Sequence, residues 1–154
     1  MSDFNRDLRE TINHSKITEF LSVCSKICGD DVVSFTDFQS DPFLKFWTSS
    51  IILKWDEDRH DFLYVFWGNE LTKVYGLELT GKYIADGDHK DTENPFIKAH
   101  YEAMTERSKI FLGGTIDWRE KGFQTWHQVI QPLERNGEIR ETLTFVTFEA
   151  PVKS

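Results

Sequence analysis

At 154 residues the chain has the size of one domain, long enough to bury roughly two thirds of the surface that its unfolded form exposes. Its formal net charge of −8 argues against tight, non-specific association with nucleic acid or anionic lipid, both of which reward clustered Lys and Arg. Hydrophobic residues make up 39 % and include 13 Phe, 5 Trp and 4 Tyr, so a ring-rich core is expected rather than disorder.

No stretch approaches the roughly 20 apolar residues of a membrane span. The start, Met1 to Asp7, lacks the apolar core of a signal peptide, so a cytoplasmic location is expected, with no membrane partner. The cysteines, Cys24 and Cys28, are four apart in a helical segment and read as two free thiols on one face. No Cys/His spacing of a zinc motif occurs, and no metal is assigned.

In chain order, Phe4, Leu8, Ile12, Ile17, Leu21, Cys24 and Ile27 recur at mostly helical spacing and predict an amphipathic N-terminal helix over residues 1–29. A break is expected at His14-Ser15, with Ser15 capping a second helix, and Gly29-Asp30-Asp31 ends the segment. Residues 30–154 read as one further domain. Asp41-Pro42 marks a turn or helix start, and Phe43, Leu44, Phe46 and Trp47 form a short buried turn.

Ile51 to Trp55 and Phe62 to Trp67 predict two strands around the charged turn Asp56 to Asp61, where a solvated loop is expected rather than an acid/histidine site. Short helical turns carry Leu71, Val74 and Tyr75, then Tyr83 and Ile84. Asn94-Pro95 opens a proper helix as cap and first residue, with Ile97, Tyr101, Met104 and Ser108 on one face. Strands Ile110 to Trp118, Phe123 to Leu133 and Ile139 to Glu149 complete the chain. The last two are joined through Asn136-Gly137, the strongest hairpin signal in the sequence. The order predicts an α+β fold with an antiparallel sheet.

Gly68-x-x-Leu71-x-x-Val74-Tyr75-Gly76-Leu77-Glu78-Leu79-Thr80-Gly81-Lys82 resembles the strand-to-helix stretch of PAS domains. Gln131-Pro132-Leu133 with Asn136-Gly137-Glu138-Ile139 is similar to the turn between their last two strands. The resemblance covers about residues 35 to 149 and is closest to the divergent bacterial group with a G-x-D/E-L-T-G-K/R stretch. It implies a five-stranded antiparallel sheet with short helices and one longer helix on one face, in a sensory, dimerising module. Flavin photochemistry of the LOV type is not expected, because Gly81 to Asp86 carries no cysteine where that subfamily has its N-C-R-F-L-Q stretch. Haem-binding relatives hang iron on a histidine of the longer helix, but His100 falls about 60° from the centre of the Ile97, Tyr101, Met104 stripe and reads as a helix-edge residue.

Aligned on the family pattern, the wall between sheet and helices is expected to hold Tyr64, Phe66, Leu71, Ile97, Tyr101, Met104, Trp126 and Gln128, as a candidate binding site for a small molecule or a partner protein. Sheet residues Leu143 and Phe145 make the outer face apolar too, so the N-terminal helix is expected to cover it in cis or across a homodimer. The expected function is sensory, without catalysis, acting in trans on a signalling partner protein. The rival reading is an NTF2-like α+β enzyme or binding protein using Asp117, His127 and Tyr101.

Overall fold

The computed structural model describes residues 4–86, 94–116 and 124–149. In chain order these form β1 (Phe4–Arg6), α1 (Arg9–Ile12), α2 (Ser15–Cys28), β2 (Val33–Ser34), α3 (Phe35–Phe38) and a 3-10 helix (Asp41–Ser49). Then come β3 (Ser50–Asp56), β4 (Asp61–Trp67), α4 (Asn69–Tyr75), a 3-10 turn (Ile84–Asp86), α5 (Pro95–Glu106), β5 (Ile110–Ile116), β6 (Gln124–Arg135) and β7 (Glu138–Glu149). Asp117 and the Arg119 to Gly122 link lie outside the described residues.

Asn136 and Gly137, at φ 55° and 81°, make the tight turn that pairs Arg135 with Glu138 and Glu134 with Ile139. A register shift follows, with Arg140 as the extra residue, and the pairing of β6 on β7 then runs from Leu133↔Glu141 to Thr125↔Glu149. Around this hairpin the sheet runs β1-β5-β6-β7-β3-β4, with every pair along that path antiparallel. The five long strands, with short helices and then α5 inserted between the second and third of them, make an α+β, PAS-like fold. Two short strands extend the five expected ones. β1 adds an antiparallel edge to β5, and β2 runs parallel to β6 at Val33↔Leu133, beyond the end of the β5 pairing.

The N-terminal segment has the expected break, between α1 and α2, but its first residues, Phe4–Arg6, form a strand rather than helix. His14, not Ser15, caps α2, its ring accepting from the Lys16 amide at 3.2 Å. The buried stripe of α2 is Ile17, Phe20 and Cys24, while Ile12 and Ile27 are about 40 % exposed. Phe20 stacks on Phe145 at 4.9 Å and meets Phe43 and Phe46 edge-on. These rings, with Phe38, Ile52, Val129 and Leu143, form the core of the outer sheet face. That face is covered within the chain.

α4, the 3-10 turn Ile84–Asp86 and α5 cover the other face. Gly68 links β4 to α4 where the chain passes directly against the Trp47 and Thr48 carbonyls, and any β-carbon there would collide with that backbone. α5 opens as expected, with the Asn94 side chain accepting from the Phe96 and Ile97 amides. It ends at Glu106, and Arg107 follows in the left-handed region at φ 52°.

Candidate functional site

Between the sheet and the α4–α5 layer lies a cavity of about 270 Å³, just below the usual range for small-molecule sites. β3 supplies Ile51 and Leu53, β4 supplies Tyr64 and Trp67, β6 supplies Gln128, and β7 supplies Thr144 and Val146. Tyr75, Leu77 and Leu79 close one side, and Phe96 and His100 of α5 close another. The Trp67 indole N–H donates to the Thr72 hydroxyl and the Leu77 carbonyl, both at 3.1 Å, which ties β4 to the chain that leaves α4.

Two of the eight expected residues, Tyr64 and Gln128, line this cavity. Leu71 lies just behind it, packed with Trp67 and Val146. Ile97 and Met104 belong to a neighbouring cluster with Leu53 and Phe62, and Trp126 sits under α5 against Ala99 and Ala103. Phe66 and Tyr101 point elsewhere.

Phe66 is displaced by a bulge. Ile52 pairs with Phe66 but the next residue, Leu53, pairs with Tyr64, so Val65 is an extra residue and the alternation of β4 shifts by one. Val65 and Phe66 consequently both face the outer groove beside Phe35, Phe38 and Trp47, and Trp67 takes the inner position.

Tyr101 is displaced by the rotation of α5. Its ring is 43 % exposed and leans on Trp55 at 4.7 Å, on the outer side of the helix. Ala99, His100 and Ala103 face the sheet instead, because the two alanines let α5 approach Trp126 closely. His100 is thus no edge residue: it is 3 % exposed, its Nδ1 lies 2.9 Å from the Thr142 hydroxyl, and its ring is 5.7 Å from Phe62. The Ala99/Ala103 pair at i, i+4 was the available signal for turning the stripe towards His100.

The cavity is a neutral environment. Burial drives the His100 pKa down to about 3, so the ring is uncharged near neutrality. Burial likewise pushes the Tyr75 phenol up to about 12 and the Tyr64 phenol well above its ordinary value. Gln128 is 7 % exposed and Thr144 1 %, and the Thr144 hydroxyl has no hydrogen-bond partner among the described residues. A buried hydroxyl without a partner is an exception that calls for one, so Thr144 marks an open polar position in a mostly apolar wall that also carries Gln128, His100 and the Tyr64 and Tyr75 phenols.

The Asp56 to Asp61 turn is structural. Asp61 accepts from the Phe62 and Ala85 amides, and Asp56 accepts from the Tyr83 hydroxyl at 2.8 Å. Arg59 lies over the Tyr83 ring at 3.6 Å and pairs with Asp86, so the turn holds the 3-10 turn beside the cavity. Of the residues of the rival reading, His127 faces α1 on the outer side of β6, bonded to Thr11 at 2.7 Å, whereas Tyr101 is on the solvent side of α5, so these two are not brought together; Asp117 lies outside the described residues.

No family model matches the chain, and no curated protein sequence matches it. Among solved structures, the chain is similar to a sensory box histidine kinase/response regulator from Burkholderia thailandensis, at 15 % identity and a TM-score of 0.37. The match covers 66 % of this chain and 77 % of that one. No helix among the described residues is long and apolar enough to cross a membrane.

Proposed function

We propose that the chain is a PAS-type sensory domain whose cavity takes a small, uncharged molecule with an apolar body and one hydrogen-bonding end. The observation that carries this reading is the buried Thr144 hydroxyl, without a partner among the described residues, in a cavity that it lines together with Gln128 and, mainly, apolar and aromatic side chains such as Ile51, Leu53, Trp67 and Val146. A charged ligand would lose its hydration against a lining of neutral groups, and uncharged compounds are therefore favoured. Binding rather than catalysis suits this lining, since His100 Nδ1 is committed to Thr142 and stays neutral. The response passes in trans to a partner protein through the layer that closes the cavity, α4 and α5.

Mass spectrometry of the natively purified protein under non-denaturing conditions tests the reading, together with a thermal-shift screen of small uncharged aromatic and aliphatic amides and alcohols. A retained or added compound that raises the melting temperature, and does so less in Thr144→Val and Gln128→Leu, supports it. Compounds that stabilise all three proteins equally would place their site elsewhere.

Pairing of two copies through the N-terminal segment belongs to the same proposal, on the two residues of the expected stripe that stay exposed, Ile12 and Ile27. The stripe Ile17, Phe20 and Cys24 is spent on the chain's own sheet, so a second copy would meet the outer side with Ile12 and Ile27. Light scattering of the full chain and of Ile27→Asp decides this. A monomer at high micromolar concentration removes the dimer and leaves the ligand-binding reading in place.

A further inference from the structure

No motif in the sequence has metal-site spacing, yet folding gathers three ligand-type side chains from distant positions. His14 stands at the α1–α2 junction, His127 on β6 and Glu149 at the end of β7. One ligand atom of each lies within 4.8 Å of the other two. His14 Nε2 is 2.9 Å from Glu149 Oε1, and His127 Nε2 is 4.0 Å from Glu149 Oε2. The two imidazole rings stand side by side, centroids 5.1 Å apart and tilted by 39°.

The surroundings fit a cation in three independent respects. First, the His14 side chain is only 9 % exposed and its Nε2, although close to the Glu149 carboxylate, is not aligned for a hydrogen bond to it or to any other group among the described residues. Second, His127 Nδ1 lies 2.7 Å from the buried Thr11 hydroxyl, which can accept the ring proton and leave the Nε2 lone pair free, as the outer partners of metal-bound histidines do. Gly113 makes room for that contact, since a β-carbon there would stand 2.6 Å from Thr11 Oγ1 and 3.3 Å from His127 Nδ1. Third, Glu149 is 55 % exposed, so an ion can enter from solvent and keep open positions for water.

We propose that His14, His127 and Glu149 bind a divalent transition-metal ion of the zinc class, which pins the α1–α2 junction to the ends of β6 and β7. Two imidazoles and one carboxylate select Zn²⁺, Co²⁺ or Ni²⁺ over Mg²⁺ or Ca²⁺, which prefer oxygen. Bonds of about 2.0–2.2 Å require the His127 to Glu149 gap to close somewhat, a movement available to the exposed Glu149 side chain. Binding through His14 Nε2 moves that ring's proton to Nδ1 and gives up the long cap contact to Lys16. Glu10 adds a second negative charge near His127.

Untagged, chelator-stripped full chain is titrated with Co²⁺ near neutral pH and read by visible absorption and calorimetry, followed by displacement with Zn²⁺. One equivalent should bind, with the ligand-field bands of a nitrogen/oxygen site. Glu149→Gln and His14→Gln should each weaken binding by about 10-fold or more. Circular dichroism confirms that the variants fold, which the exposure of Glu149 favours. Absence of saturable, stoichiometric binding, unchanged affinity in both variants, or a thiolate charge-transfer band placing the ion on Cys24 and Cys28 would overturn the assignment.

Discussion

The two faces of the sheet are built from neighbouring residues of the same strands and do opposite things. On β7, Leu143 and Phe145 turn outward into a dense stack of rings with Phe20, Phe43 and Phe46, in which apolar side chains meet apolar side chains. Thr142, Thr144 and Val146, one residue away in each case, turn inward, where they meet a buried neutral histidine and an open space. A stable core and a receptive pocket thus share one backbone.

The sharpest break of this contrast is Phe20→Ala. It removes the ring at the centre of the outer stack and should cost about 3–5 kcal/mol, seen as a lowered urea midpoint, because neighbouring rings cannot all collapse into the space. A loss under about 1 kcal/mol would mean that α2 does not cover the outer face in solution.

On the inner face the largest effect is one of pH. The unfolded chain takes up a proton on His100 near its ordinary pKa of 6.5, whereas the folded chain resists protonation down to about 3. The contribution is therefore fully present above pH 6.5 and is lost as the pH falls towards 3, at up to about 1.4 kcal/mol per pH unit. His127, whose pKa is lowered by burial and then by His14, adds to the same trend. Urea unfolding at a series of pH values should show a shallower slope for His100→Gln than for the parent, and equal slopes would contradict the burial of His100.

Thr144→Val sharpens the comparison from the opposite direction. An outer-face polar deletion within a satisfied network would destabilise, but here the hydroxyl has no partner, and removing it should stabilise the ligand-free protein by about 1 kcal/mol while weakening ligand binding. Destabilisation by a similar amount would show that the hydroxyl is bonded. The smallest effect is expected from Tyr101→Ala, about 0.5 kcal/mol from loss of its contact with Trp55. Ligand-induced shifts in melting temperature should be unchanged in this variant, since the side chain lies outside the cavity.

Element types and their order were legible in the sequence because they rest on local signals. Asn136-Gly137 sets a hairpin, Asn94-Pro95 opens α5, and the glycine after β4 is required where the backbone passes Trp47 and Thr48. Tyr64 and Gln128 were placed correctly by period two, which holds wherever a strand is regular. Phe66 was not, because one extra residue in β4 reverses the alternation, and nothing in Leu63-Tyr64-Val65-Phe66 announces it.

The apolar stripes of α2 and α5 could be seen as stripes, but their exact rotation is set by what lies opposite. Phe20 rather than Leu21 points inward because Phe145 offers a face to stack on. His100 rather than Tyr101 points inward because Ala99 and Ala103 bring the helix down onto Trp126. The sequence by itself determined the five long strands, α2 and α5, the tight turn between β6 and β7 and the apolar character of both sheet faces, since each follows from residues within a few positions of one another. The short strands β1 and β2 and the register shift beyond that turn were not legible in it. Only the tertiary structure decided which side chains reach the cavity and that His14, His127 and Glu149 meet, because a residue's direction after a bulge or around a packed helix depends on partners in other elements of the chain.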